Sequence, residues 1–400
     1  MQDKIIYLDN AATTAVAPEV IQEMLPYFER YWGNPSSLYD FGQQVRADIT
    51  DARTRIAANL GASADNLYFT SCGTESNNWA IKETMFAYQN KGRHFVTSSI
   101  EHHATSHSAE WLEKRGCEVS YVKVDHNGLI NLEDFRAALR PDTVMASIIH
   151  GNNEIGTIQP IAELAAIARE HKVLFHTDAV QTVGHLPVNV EDLGVDFLSA
   201  SGHKFHAPKG VGLLYIRKGV KTKGLLDGGA QERKRRAGTE NVPYIMGMAR
   251  ALDLSIEHLS ERAAHATKLR NHLISRVLSE VDHCRLNGHS TLRLPGNANI
   301  SFEFVEGESL LLMLEQKGIL ASSGSACASG SLDPSHVLLA IGLSHEIAHG
   351  SLRLTIGHET TQADIDYTVE AIKEVVAQLR AMSPLYEDFI AGRKAVSAIK

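Results

Sequence analysis

Short runs of apolar and β-branched residues alternate with segments of helical periodicity through the first two-thirds of this 400-residue chain. Residues 94–98, 118–124, 144–150, 173–177, 197–201 and 211–217 read as strands, and 75–88, 105–114, 132–139 and 161–171 as helices between them. Asn131 stands just ahead of the third helix, where its side-chain oxygen can cap free backbone N–H groups. Strands separated by helices predict an α/β unit with a mostly parallel sheet covered on both faces. Ligands of such sheets sit beyond the carboxyl ends of the strands. From residue 243 to about 279 the pattern predicts one long helix. After it come a strand at 299–304, a helix at 308–317, a strand at 351–356 and an amphipathic helix at 361–382. In 351–356, Leu352, Leu354 and Ile356 share one face and Ser351, Arg353 and Thr355 the other. The expected division is a large unit, residues 15–260, and a smaller α+β unit made of 1–14 and 261–400; the short strand at 5–8 fits either. There is no internal repeat and no low-complexity segment.

Composition narrows the picture. Apolar residues at 44% and charged residues at 22% are ordinary for a globular chain, which excludes disordered, collagenous and coiled-coil classes. Lys and Arg number 39 against 47 Asp and Glu, a net charge of −8, which disfavours nucleic acid and anionic membrane as partners. The one basic run, Arg233, Lys234, Arg235 and Arg236, has no aromatic platform beside it and reads as a solvated loop. Four cysteines, Cys72, Cys117, Cys284 and Cys327, form no C-x-x-C pair, so free thiols in a reducing cytoplasm are expected. No apolar stretch is long enough to span a membrane, and the first residues show no leader pattern.

Three segments point to chemistry. Ser199-Ala200-Ser201-Gly202-His203-Lys204 follows directly on an apolar strand. A lysine there is placed to form an imine, although most lysines are solvated surface charges. Asp178 ends another buried-looking strand in His176-Thr177-Asp178-Ala179-Val180-Gln181, and reads either as a helix cap or as the partner of a pyridinium nitrogen. Pyridoxal 5'-phosphate needs both residues: the lysine holds its aldehyde as a Schiff base, and the acid keeps its ring nitrogen protonated so that the ring accepts electrons. Thr70-Ser71-Cys72-Gly73-Thr74-Glu75-Ser76 sets small residues ahead of a helix, a geometry that aims backbone N–H groups at an anion. Beside an Asp/Lys pair it reads as a phosphate cradle, with Ser201 and His203 as further donors.

These segments occur with Leu8-Asp9-Asn10-Ala11-Ala12-Thr13-Thr14, Gly33-Asn34-Pro35-Ser36-Ser37, Asn152-Asn153-Glu154-Ile155-Gly156, Arg236-Ala237-Gly238-Thr239-Glu240-Asn241 and Ser322-Ser323-Gly324-Ser325-Ala326-Cys327. In order and spacing the set resembles the cysteine desulfurases of the NifS/IscS type, fold-type I pyridoxal-phosphate enzymes of the class-V aminotransferase family, from about residue 5 to about 390. The resemblance implies a seven-stranded, mostly parallel sheet in the large unit, and a Cys loop at about 321–333 in the small one. It implies that Lys204 carries the cofactor, Asp178 pairs with the ring nitrogen, Gln181 faces the phenolic oxygen, and His102 stacks on the ring and shuttles protons. Gly73, Thr74, Ser201 and His203 would hold the phosphate, with Gly202 among the cofactor contacts. Thr239 would reach the phosphate of a partner subunit, making the active unit a homodimer. Asn153 would touch the cofactor and, with Arg353, clamp the substrate carboxylate; a planar guanidinium suits a carboxylate bidentately.

Cys72, Cys117 and Cys284 read as inert core thiols. Cys327 differs, because the small residues around it suit an exposed loop. The resemblance makes it the acceptor of sulfur from L-cysteine, with L-alanine released and the persulfide passed to an iron–sulfur scaffold protein. Its loop is similar to that of the long-loop group rather than the SufS-like group. The stretches 231–241 and 293–300 lean toward the nitrogen-fixation-type branch, and 383–400 is a docking element by resemblance alone. Tyr39 stands where the family often has His. No resident metal is expected, although Cys327 could transiently ligate a cluster on an acceptor. Rival readings are a zinc protein using His103 and His107 at i, i+4, a nucleic-acid binder, a β-lyase such as selenocysteine lyase, and an aminotransferase.

Overall fold

The computed structural model describes residues 5–323 and 334–392. A short strand β1 (Ile6–Tyr7) opens the described chain. Strands β2 (Leu67–Thr70), β3 (His94–Ser98), β4 (Glu118–Val122), β5 (Thr143–Ile149), β6 (Leu174–Asp178), β7 (Phe197–Ser201) and β8 (Gly212–Ile216) build a seven-stranded sheet in the order β2-β8-β7-β6-β5-β3-β4. Only β8 runs against its neighbours; the other pairs are parallel. Strands β3, β5, β7 and β8 are buried at every position because helices cover both faces. This is the α/β, mostly parallel fold that the sequence pattern and the resemblance predict.

Several elements escaped the pattern, the helix Asp40–Asn59 and strand β2 among them. A four-residue apolar run does not by itself distinguish strand from buried helix. The outer edge of β2 is sealed by side chains: Phe69 N–H donates to Glu232 Oε2 at 2.9 Å, and the Leu67 carbonyl accepts from Arg53 Nη1 at 3.0 Å and Arg233 Nη2 at 2.5 Å. The basic run is therefore anchored rather than merely solvated. The Arg233 guanidinium also lies 4.4 Å from the centre of the Tyr68 ring, and Arg236 Nε meets Glu75 Oε1 at 2.9 Å.

The long helix is two helices, Val242–Glu257 and Leu259–Glu280, broken at His258, whose φ of −104° and ψ of 12° leave the helical range. Strands β9 (Cys284–Leu286) and β10 (Asn297–Phe302), β11 (Ile319–Leu320) and β12 (Ser351–Thr355) follow. β10 lies between β9 and β12 in an antiparallel sheet, and β11 pairs in parallel with β1. One apolar core gathers residues such as Val45, Ile56, Phe175, Leu198 and Leu252. A separate core joins Ile6 and Leu8 to Leu273, Ile300, Leu352 and Val369. The alternation of β12 is present, but its polar face is buried too.

Candidate functional site

Parallel strands end together, and here the ends of β5, β6 and β7 open on one cavity of about 300 Å³. Register sets Ile149, Asp178 and Ser199 side by side. Gly73, Thr74, His102, Asn153, Asp178, Gln181, Ser201, His203, Lys204 and Arg353 all line this cavity. Gly202 does not: a Cβ there would lie 2.9 Å from Ala207 Cβ, so its part is close backbone packing behind the lysine. Thr239 lines a different cavity of about 180 Å³, with Arg236 and Glu240. Cys327 lies outside the described residues.

Lys204 follows β7 on a single 3₁₀ turn. Its Nζ donates to the carbonyls of Ala11 and Ala12 at 2.6 and 2.7 Å. Gln181 Nε2 donates to the same Ala11 carbonyl at 2.9 Å. Asp178 is followed by a turn rather than a helix: its Oδ1 accepts from Val180 N–H at 3.0 Å, bracing that turn, and its Oδ2 accepts from Asn77 Nδ2 at 2.6 Å. The carboxylate is thus oriented from two sides at the strand end.

His102 caps the helix His103–Glu113, its Nδ1 accepting from Ala104 N–H at 3.1 Å. Burial lowers its pKa, Asp178 works against that shift, and the charge of Lys204 adds to it. A neutral ring that accepts at Nδ1 carries its proton on Nε2. Burial likewise pushes His203 down to about 4, and its Nδ1 lies 3.1 Å from Thr13 Oγ1. Arg353 is 2% exposed. Its Nη2 donates to Asp9 Oδ1 at 2.8 Å and its Nη1 to the Asn153 carbonyl at 3.0 Å, while Nε is buried without a partner.

The cavity fits pyridoxal phosphate on its own evidence. Ser201 Oγ is buried with no hydrogen-bond partner, an arrangement that a bound acceptor would complete. A Cβ at Gly73 would lie 2.6 Å from Val180 Cγ2, so only glycine lets the start of the helix Gly73–Asn78 come this close. Thr74 and His203 stand beside it. The cavity therefore brings together a carboxylate, an amine and a cluster of N–H and O–H donors, the kinds of group that the ring nitrogen, aldehyde and phosphate of the cofactor would need.

The structure also corrects the reading of Cys72 and adds residues that the sequence did not single out. Cys72 is half-buried and lines the cavity, so it is not a core thiol. Asn77 and the carbonyls of Ala11 and Ala12 were missed as contacts; the small side chains of Ala11 and Ala12 were the available signal, since they let backbone approach a ligand closely. His103 stacks near His107 and His336, with ring centres 4.9 and 5.1 Å away, but no group of three His, Cys, Asp or Glu suited to a metal ion occurs among the described residues. A larger cavity of about 710 Å³, lined by Thr14, His206, Arg262 and His358, contains none of the expected site residues.

Residues 6–368 match the family model of aminotransferase class-V. The chain is 54% identical over 384 residues to the cysteine desulfurase IscS of Methanosarcina thermophila, covering 96% of this chain and 95% of that one. It is 50% identical over 389 residues to the cysteine desulfurase IscS of Dictyoglomus turgidum, covering 97% and 99%. Among solved structures, a NifS-like protein matches with a TM-score of 0.89 at 38% identity, over 94% of this chain and 100% of that one. A NifS-like protein from Rickettsia africae matches with a TM-score of 0.84 at 30% identity, over the same shares.

Proposed function

This chain belongs to the class-V aminotransferase family, and from that premise we propose that it is a pyridoxal-phosphate-dependent cysteine desulfurase of the NifS/IscS type. The observation that carries the reading is the single cavity shared by Lys204, Asp178, His102 and Arg353, residues far apart in sequence whose chemistries are those the reaction needs. When bound, the cofactor takes up the electron pair left at the substrate's Cα.

The protein's residues do the rest. Arg353 and Asn153 bind the carboxylate of L-cysteine, with Arg353 kept in place by Asp9 and by the Asn153 carbonyl. Lys204 Nζ, released from the Ala11 and Ala12 carbonyls, moves the substrate proton. Asp178, steadied by Asn77, holds a negative charge at the buried strand end. His102 presents an N–H at Nε2 as a proton donor. Gly73, Thr74, Ser201 and His203 hold the phosphate, and Gly202 gives the turn its tight packing. Cys327, as thiolate, bonds to the substrate sulfur; the Cβ–S bond breaks, Cβ takes a proton, L-alanine leaves and the persulfide stays on the protein.

An iron–sulfur scaffold protein is the proposed persulfide acceptor, and the cytoplasm the proposed location. No helix among the described residues is long and apolar enough to cross a membrane. The active unit in this reading is a homodimer in which Thr239 serves the neighbouring site. Exposed apolar residues crowded between positions 28 and 39, Phe28, Tyr31, Trp32, Leu38 and Tyr39, support a second copy. The chain in this reading comprises a large unit, 15–260, and a small unit, 1–14 with 261–400; the break at His258 and the separate core around Leu273 and Ile300 support it.

The test is the absorbance of the purified protein before and after L-cysteine, together with alanine release. Lys204→Ala should abolish the band of the covalently held cofactor. Cys327→Ala should keep the band and lose sulfur transfer. A Cys327→Ala protein that desulfurates cysteine at the parent rate refutes the acceptor role.

A further inference from the structure

Glu154 lies outside the cofactor cavity, yet it is a buried carboxyl beside Asn153. Burying such a group is costly unless it is bonded. Its Oε2 accepts from Ser335 Oγ, itself buried. Ser335 caps the helix His336–Ala340, and its oxygen already accepts from Val337 N–H and Leu338 N–H, each at 3.2 Å. With both lone pairs engaged, the single hydroxyl proton goes to the carboxyl. Glu154 is equally fixed from behind. Asn152 Oδ1 accepts from the N–H groups of Glu154 and Ile155 at 2.9 Å, and the Glu154 carbonyl accepts from Asn297 Nδ2 and Asn299 Nδ2 at 3.1 Å. Beside it, Val337 and Leu338 pack with Ile149 and Ile155.

Cys327 lies in sequence between Ser322 and Ser335. Ser322 is paired with Arg353 by two backbone hydrogen bonds, of 2.7 and 3.2 Å. Arg353 in turn donates to the Asn153 carbonyl at 3.0 Å. Both flanks of the Cys327 segment thus close on Arg353 and the Asn153–Glu154 pair. We propose that Glu154 is a positioning residue for sulfur transfer: by holding Ser335 it sets the downstream root of that segment against the residues that grip the substrate carboxylate. The inference rests on the reading of Cys327 as sulfur acceptor.

The test uses the full-length, cofactor-loaded protein. Two quantities are measured: the half-saturating L-cysteine for the change in cofactor absorbance, and the single-turnover rate of persulfide formation on Cys327, read by alkylation and mass. Misplacing a reacting group by about 1 Å can cost about 10²-fold, so Glu154→Leu should slow persulfide formation by roughly 10- to 100-fold while half-saturation stays within about twofold. Glu154→Gln should return the rate to within about threefold of the parent, because its amide oxygen accepts the same bond. Should Glu154→Leu fail to fold, Ser335→Ala carries the test, with the same slowing at unchanged half-saturation expected. A parental persulfide rate in Glu154→Leu or Ser335→Ala overturns the proposal, as does a parallel loss of binding and rate that Glu154→Gln does not rescue. Cys327→Ala at the parent rate would instead overturn the acceptor reading itself, whatever Glu154 does.

Discussion

The ends of β5, β6 and β7 and the polar face of β10 and β12 both bury polar side chains, but they satisfy them differently. In the large sheet, Ser147, His176 and Ser199 bond in a row across three strands at 2.7 and 2.9 Å, one level below the cavity. Above them Asp178 and Ser201 face the cavity, and Ser201 Oγ is left without a partner. In the small sheet most polar groups are used on one another and on the neighbouring loop, although Asn287 Oδ1 is buried without a partner, away from the cavity. Asn287 Nδ2 donates to Asn299 Oδ1 at 2.7 Å, and Asn297 and Asn299 both donate to the Glu154 carbonyl. Arg293 Nη1 donates to the Ile155 carbonyl at 2.8 Å. One arrangement leaves capacity for a ligand; the other docks one sheet onto the strand-end loops and turns Arg353 toward the cavity. Burial of polar groups therefore does not by itself mark a site. Incomplete hydrogen bonding beside a cavity does.

Substitutions can break this contrast. The largest effect is expected for Asp178→Ala: a loss of turnover of about 10³-fold, the scale of removing one preorganised electrostatic group, in a protein that still folds. Asn299→Ala should change turnover only a few-fold, and equal losses would erase the distinction. Arg353→Leu acts on both sides of it. Removing one member of a buried ion pair costs about 3 kcal/mol, so urea unfolding should register that loss while KM for L-cysteine rises; Arg353→Lys should recover stability better than KM. Within the small sheet, Ile300→Ala on the apolar face should cost about 2–4 kcal/mol and Asn299→Ala about 1–3 kcal/mol by urea unfolding.

The smallest expected effect is in pH. Burial holds His176 at about 3 and His150 at about 4, below the ordinary value of 6.5. A depressed histidine pKa means that the unfolded chain binds protons first. The stability tied to these neutral rings is present above pH 6.5 and is lost as pH falls from 6.5 toward 4 for His150 and toward 3 for His176. Glu101 has the opposite sign: burial raises it to about 8, so its contribution is present in acid and lost as pH rises from 4.5 to 8. Melting temperature should therefore fall on both sides of a maximum, by about 1–2 °C per pH unit on the acid side. A His176→Asn variant should show a shallower acid limb.

Much of the seven-stranded sheet was legible because apolar and β-branched residues concentrate in its buried strands, and His94–Ser98 and Phe197–Ser201 fall where the pattern puts them. The helix break at His258 was not legible, since no Pro or Gly marks it. The carbonyls that hold Lys204 belong to Ala11 and Ala12, whose small side chains signal only that backbone can come close there and not which group it meets. Cys72 was misjudged because the average burial of cysteine says nothing of a thiol at a strand-to-helix turn facing a cavity.

By itself the sequence determined which chemistries were at hand and the order of strands and helices, because residue type and periodicity are local properties. An amine at Lys204, an acid at Asp178 and a guanidinium at Arg353 were readable in that way. Only the tertiary structure decided that these groups share one space, that the polar face of β12 turns inward, and that Glu154 reaches Ser335. Those outcomes depend on which sheet packs against which loop, and packing brings together residues whose separation along the chain carries no record of their contact.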